Sequence, residues 1–309
     1  MIINISNIWD VIIDKHADFL NTIIEDSLSK LQSSALDRQI HNFISANRST
    51  ITRGKAQDLK HSIADYTRRF GNGLLRGCAG ERLKELFDYS SFSQKSNKPW
   101  TAYQLCSQAK YQTCSYCQLV ATGTCLPDEE IKGYRPPIDH FYGKAEYPFL
   151  ALTLSNFIPC CEKCNGSQMK GEIDFSEIPH LNPLIDEESI SFALMWVNGA
   201  SINIAEAATL NLPKQNYHLG LYINSNQKKS EASLRTFQLE SRYQHYSGPA
   251  YHLARVMRGV SARLNMLEES LDFDMSIEDY LEFEPQAYKT TPYGKVRICI
   301  AQQFGALPT

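Results

Sequence analysis

Residues 136–175 read PPIDHFYGKAEYPFLALTLSNFIPCCEKCNGSQMKGEIDF. The β-branched Ile138 leads into Asp139-His140, a loop containing Gly143 and Pro148 follows, and Asn156 precedes the short apolar piece Phe157-Ile158-Pro159. Cys161, Cys164, Asn165 and Lys170 come next, where a helix can begin. The stretch predicts a hairpin followed by a helix, with Asp, His and two Asn on one face. Asp and Asn oxygens suit a hard cation such as Mg²⁺ or Mn²⁺. A neutral His beside them can take a proton from water near pH 7. A hard cation next to a general base is the equipment of metal-assisted phosphodiester hydrolysis. Singly, each residue has an ordinary reading: Asp-His pairs are common, Asn156 and Asn165 could cap a turn or a helix, and Lys170 could be plain surface. The functional reading rests on the ordered set: Asp-His, Asn sixteen residues after His140, a cysteine pair, and Asn directly after the last Cys.

The cysteines frame this stretch. Cys114 and Cys117 form one C-x2-C pair, and Cys161 and Cys164 form another, with Cys160 alongside. The nine cysteines are an odd number, and MIINISNIWDVIIDK at the N-terminus lacks the basic start of a secretory signal. Reduced thiols in a cytoplasmic chain are therefore expected, and paired spacing there reads as a metal site. Two such knuckles suit tetrahedral Zn²⁺, each short turn presenting two thiolates to one ion. With four protein ligands the ion is structural, clamping the helix start to the segment before the hairpin. Cys160 is the alternative to Cys161 as ligand. Cys106 and Cys125 are expected to pack rather than ligate.

Outward from the hairpin, three regions are expected. Residues 1–105 are a helical N-terminal region, 106–185 hold the chemistry, and 186–309 are mainly helical. Ile8, Val11, Ile12, Phe19, Ile23, Leu28 and Leu31 follow a helical period, with Asn7 and Asp10 as a candidate cap. Further helices are expected around Leu36–Ile44, Leu59–Phe70 and Leu83–Phe87. The glycine-rich GNGLLRGCAGE (71–81) lacks the Gly-Lys-Ser/Thr of a phosphate loop and reads as a bend between helices. SISFALMWV reads as a strand, and Leu253, Val256, Met257, Val260, Leu264, Leu267 and Leu271 as one face of a long helix beginning near Pro249. At 309 residues with 43% apolar and 21% charged residues, the chain is globular rather than disordered. No apolar run approaches the ~18 residues of a membrane span, so no membrane partner is expected.

The formal net charge of −3 excludes bulk-charge coating of nucleic acid, so contact with it must be local. Residues 48–84 carry nine Lys/Arg against three acids. That block reads either as a phosphate-contacting arm, with Arg68 and Arg69 at its centre, or as a solvated helix face. Residues 268–284 carry eight acids and no Lys or Arg, and read as solvent-facing or as meeting a basic partner.

The motif closely resembles the HNH endonucleases of the ββα-metal type in their zinc-knuckle form. Their pattern, C-x2-C, Asp-His, Asn, then C-x2-C-Asn and a basic residue, is met by Cys114, Cys117, Asp139, His140, Asn156, Cys161, Cys164 and Asn165. The resemblance implies an α+β, mostly helical chain with a small ββα-metal core and a four-Cys zinc knuckle, flanked by helical regions. It implies His140 as general base, Asp139 and Asn165 as ligands of the catalytic Mg²⁺ or Mn²⁺, and Asn156 as the residue that holds loop and base in place. Hydrolysis then leaves a 3′-hydroxyl and a 5′-phosphate. The family's Lys often follows the final Asn by three residues, whereas Lys170 follows by five, so Lys170 and Lys144 are both candidate phosphate contacts. HLNPLIDEES (180–189) and the C-terminal tail resemble more weakly the HNH nucleases of bacterial antiviral systems, Septu-type and retron-linked, which are often paired with an ATPase. Double-stranded DNA is the expected substrate. The alternatives are an HNH nuclease acting mainly on RNA and a zinc-knuckle nucleic-acid binding protein without catalysis.

Overall fold

A computed structural model describes residues 2–96, 98–197, 203–260, 263, 264, 266 and 276–308. The chain is α+β, about half helical, with two small two-stranded antiparallel sheets. It divides into two compact units, one comprising Asn4–Tyr111 with Thr122–Asp186, the other Met1–Ile3, Gln112–Ala121 and Glu187–Thr309.

The first unit opens with four helices: α1 (Ile13–Lys30), α2 (Ala35–Arg53), α3 (Leu59–Phe70) and α4 (Leu74–Leu86). Local chemistry sets their ends. The Ser34 hydroxyl accepts from the Asp37 amide at the start of α2, and α3 stops at Gly71, whose φ of +64° suits a residue without Cβ. The expected cap from Asn7 and Asp10 does not form: no side chain caps the turn before α1, and Asn7 Oδ1 accepts from Tyr111 Oη instead. The glycine-rich stretch is a bend only at 71–73; α4 runs on through Gly77 and Gly80, where helix hydrogen bonding outweighs the intrinsic cost of glycine. Two short helices follow, α5 (Tyr89–Ser93), capped by Asp88, and α6 (Ala102–Ser107), with a capping box from Thr101 and Gln104.

Against these helices lies the hairpin read from the sequence. Strand β1 (Ile138–His140) pairs antiparallel with β2 (Phe157–Pro159), in the register Asp139 opposite Ile158 and His140 opposite Phe157. The one-turn helix α7 (Glu162–Asn165) follows. The loop between the strands is seated by aromatic packing. Phe149 meets Phe43 of α2 at 4.9 Å and Tyr66 of α3 at 5.1 Å between ring centroids. Edge-to-face and tilted pairs of this kind add to the apolar burial itself.

The second unit is built on β3 (Ile190–Trp196) and β4 (Tyr217–Ile223), paired over seven residues with Leu194 opposite Leu219. The strand expected over SISFALMWV is present; its partner was not expected, so the C-terminal region is less helical than the sequence suggested. Alternate residues Ile190, Phe192 and Leu194 are buried. Both outer edges are closed at the Leu194–Leu219 row. The Gln303 side-chain amide accepts from the Leu194 N–H and donates to its carbonyl, and Ser247 Oγ accepts from the Leu219 N–H. The expected long helix is interrupted after Met257, where Arg258 turns to extended backbone and Gly259 takes φ +72°; Val260, Arg263, Leu264 and Met266 are helical again. Leu267 and Leu271 lie outside the described residues, as do positions 268–275 of the acidic block.

Candidate active site

The hairpin buries three polar side chains, Asp139, His140 and Asn156, that solvent would otherwise claim. Each is satisfied by a particular neighbour. Asn156 closes the loop: its Oδ1 accepts from the Tyr142 amide at 2.8 Å, and its Nδ2 donates to the carbonyls of Tyr142 at 2.9 Å and Leu150 at 3.3 Å. That fixes the 3-10 turn Pro148–Leu150 and the Ala151 carbonyl beyond it. Nε2 of His140 lies 2.9 Å from the Ala151 carbonyl. A carbonyl only accepts, so Nε2 carries the proton and Nδ1 is left as the basic nitrogen. Nδ1 makes no hydrogen bond among the described residues.

Burial pushes the His140 pKa down to about 3, against the raising effect of the Ala151 carbonyl and with a further lowering from the Lys144 and Lys170 charges. The ring is neutral at pH 7. Two aromatic rings hold it edge-on: Phe157 at 5.2 Å from across the hairpin and Tyr89 at 4.6 Å from α5. Lys144 Nζ sits 4.4 Å from the Tyr89 ring centroid. No local pattern in the sequence marks Tyr89, which reaches the site only through the packing of α5.

Lys170 is turned inward. Its Nζ lies 2.5 Å from Asp139 Oδ1 and 2.6 Å from the His140 carbonyl, with the side chain buried. Neither a plain surface residue nor a free phosphate contact, the ammonium is bonded inside the hairpin. Asn165, at the end of α7, is partly exposed.

The helical layer of this unit reaches the same segment from behind. Nε2 of His16 on α1 donates to the Leu152 carbonyl at 2.8 Å, and Trp9 Nε1 donates to the Phe157 carbonyl at 3.1 Å. The arginines of the basic block are already partnered. Arg48 pairs with Glu25, Arg53 with Asp14, Arg76 with Glu146, and Arg82 with Glu85, while Arg68 and Arg69 share Asp65. The Arg68 side chain is 71% exposed and the Arg69 side chain 22%, so Arg68 is the more available. Lys55, Lys60 and Lys84 make no ion pair among the described residues.

Cys114, Cys117, Cys161 and Cys164 are buried, with their four sulfurs all within 4.8 Å of one another. Tetrahedral zinc at ~2.3 Å from each sulfur needs sulfurs about 3.8 Å apart, so this set fits the ion in ligand type, number and spacing. Cys161 rather than Cys160 completes the set; the Cys160 thiol turns toward the Pro137 carbonyl, and burial raises its pKa well above the usual thiol value. The turn at Cys114–Cys117 is anchored by Tyr243 Oη, which donates to the Cys117 carbonyl at 2.6 Å, and by Tyr116 stacked on Phe237. Among the described residues no second group of three or more His, Cys, Asp or Glu ligands comes together. No described helix is long and apolar enough to cross a membrane.

No family model and no solved structure matches the chain. The chain is similar to the Septu protein PtuB of Bacillus thuringiensis, with 37% identity over 76 residues. That stretch is 25% of this chain and 26% of the relative, so the match spans about a quarter of the relative's length.

Proposed function

We propose that the chain is a metal-dependent endonuclease of the HNH type, acting on DNA. The observation that carries this reading is the state of His140: a neutral ring, fixed as one tautomer by the Ala151 carbonyl, with Nδ1 unspent and Asp139 adjacent in the strand. The order β1, β2, α7 supports a ββα-metal core. Oxygen donors from Asp139 and Asn165 suit a hard divalent cation, and they would hold it. When bound, that ion supplies Lewis-acid stabilisation of the charge growing on the scissile phosphate and leaving oxygen.

The chain's own residues do the rest. His140 Nδ1 takes a proton from the attacking water, and the Ala151 carbonyl opposite stabilises the imidazolium that results. Asn156 is a positioning residue that holds this carbonyl by locking the loop, and Tyr89 and Phe157 fix the ring's plane. Lys144 is the nearest candidate phosphate contact. Zn²⁺ on the four cysteines is structural, since no ligand position remains open.

Similarity to the Septu protein supports a place in anti-phage defence, and with it a protein partner such as an ATPase. The three unpaired lysines of the 48–84 block offer the backbone contacts that Arg68 and Arg69 offer only by leaving Asp65. A Mg²⁺-dependent plasmid-nicking assay, run with zinc-loaded protein, tests the reading. Nicking by the wild type that disappears in His140→Ala is expected. Tight DNA binding with no cleavage under any divalent cation would instead support the non-catalytic zinc-knuckle alternative, and cleavage confined to RNA would move the substrate class.

A further inference from the structure

We infer that Lys170 and the divalent cation compete for one carboxylate, so that cation binding at Asp139 is a displacement. The inference rests on the reading of Asp139 as a cation ligand given above. The Lys170 ammonium occupies Asp139 Oδ1 at 2.5 Å and is tied at the same time to the His140 carbonyl at 2.6 Å. A cation reaching Asp139 meets a fixed positive charge on the same group. In a buried site like charges repel strongly, because little water screens them.

The backbone holds Lys170 in this position. The segment after α7 coils back on itself: Met169 and Gly171 both donate to the Gly166 carbonyl at 3.0 Å, and the Lys170 amide donates to the Cys164 carbonyl at 3.3 Å. Gly171 makes the coil possible, with φ +48° and a virtual Cβ that would stand 3.2 Å from Ser167 Cα. Phe175 then covers the ammonium, its ring centroid 5.0 Å from Nζ. The five-residue spacing from Asn165 to Lys170 gives the chain room to close this coil and return the side chain onto β1.

The consequence is a site that guards its own metal affinity. Without substrate, Asp139 is neutralised internally and takes up a cation weakly. A phosphodiester brings a second anion that the ammonium and the cation can share. Cation and nucleic acid therefore bind with positive coupling, each raising the affinity of the other by the same factor.

Mn²⁺ binding to the zinc-loaded protein, followed by electron paramagnetic resonance of free Mn²⁺, tests this without any cleavage step. Lys170→Met is expected to bind Mn²⁺ at least about tenfold more tightly than wild type, since the competing charge is gone. Lys170→Arg should stay near wild type, and Asp139→Asn combined with Lys170→Met should lose the gain. Equal or weaker Mn²⁺ binding by folded Lys170→Met, with wild type binding well, overturns the competition and leaves the nuclease reading standing. Binding by neither protein removes Asp139 as a cation ligand and the competition with it. If Lys170→Met does not fold, the wild type alone decides. The slowly exchanging Nζ resonance of Lys170 in ¹⁵N-lysine-labelled protein should be lost as Mg²⁺ saturates the site, and a resonance unchanged at saturating Mg²⁺ overturns the displacement.

Discussion

His16 in the helical layer and His140 in the hairpin are equally deep, and burial depresses both, His16 to about 4 and His140 to about 3. Each donates Nε2–H to a backbone carbonyl of the same short segment, Leu152 for His16 and Ala151 for His140. They differ at the other nitrogen. Trp100 Nε1 donates to His16 Nδ1 at 3.1 Å, so that ring has no capacity left. His140 Nδ1 is unspent. Neither depth nor a displaced pKa distinguishes the two rings; the lone pair on His140 Nδ1, unused among the described residues, does, and the proposed role of His140 as general base rests on it. The neighbourhood agrees, since His16 sits among Phe19, Phe92, Trp100 and Phe157, while His140 adjoins Asp139 and two lysines.

The contrast breaks most sharply under truncation. His140→Ala should lower the nicking rate by ~10²–10⁴-fold, the usual worth of a general base, with little change in melting temperature. A folded variant that cleaves at the wild-type rate would end the assignment. The hairpin's other dependence is on thiolates. Cys161→Ser should lose bound zinc and melt well below wild type, with activity falling as a consequence, because ligand binding and local folding are coupled. Zinc content and calorimetry on the same sample check this, and Cys160→Ser should keep both.

His16→Ala should do the reverse of His140→Ala. It strands the Trp100 N–H and the Leu152 carbonyl and opens a cavity, at a cost of about 2–5 kcal/mol in denaturant unfolding. Its nicking rate at low temperature, where the variant is still folded, should stay within a few-fold of wild type. A loss as large as that of His140→Ala would erase the distinction.

Acid should reveal the buried rings together. A histidine whose folded pKa lies below its unfolded value near 6.5 binds more protons when unfolded. Stability is therefore full above that value and falls as pH drops toward the folded pKa. For His16 the window runs from about 6.5 down to about 4, and by pH 5.5 the loss is roughly 1 kcal/mol. His16→Phe, though less stable throughout, should show a shallower slope of stability against pH between 6.5 and 5. An identical slope would mean that His16 does not titrate on unfolding in this range.

The smallest effect is expected in the helical layer's surface. Arg68→Ala with Arg69→Ala should reduce the salt dependence of DNA binding by at most one or two counterions' worth, on the order of one per phosphate contact. Replacing Lys55, Lys60 and Lys84 should reduce it more, because those charges are not already spent on acids. The reverse ranking would show that Asp65 releases its arginines on binding.

The hairpin and the cysteine pairs were legible because their signals are local: residue types at short fixed spacings, each with its own chemistry. Helices α1 to α3 were legible from apolar period. What the sequence hid was set by tertiary partners. The carbonyl of Ala151 has no side-chain signature, Tyr89 joins the site only through packing, and Lys170 could not be seen to bend back onto Asp139. The Lys/Arg surplus of 48–84 is plain in the sequence, but Asp14, Glu25 and Glu146, which help to neutralise it, lie outside that window. Strand β4, YHLGLYI, carries a glycine at its centre and so lacked a strong strand signal.

Gln303 and Ser247 have an effect beyond the fold of their own unit. An isolated two-stranded ribbon exposes a row of amides and carbonyls on each side, a template on which other chains can polymerise. By engaging the Leu194–Leu219 row from both sides, these two polar side chains deny an incoming strand continuous pairing along either edge. Resistance to strand addition thus rests in part on Gln303, which lies 109 residues along the chain from the Leu194 it guards.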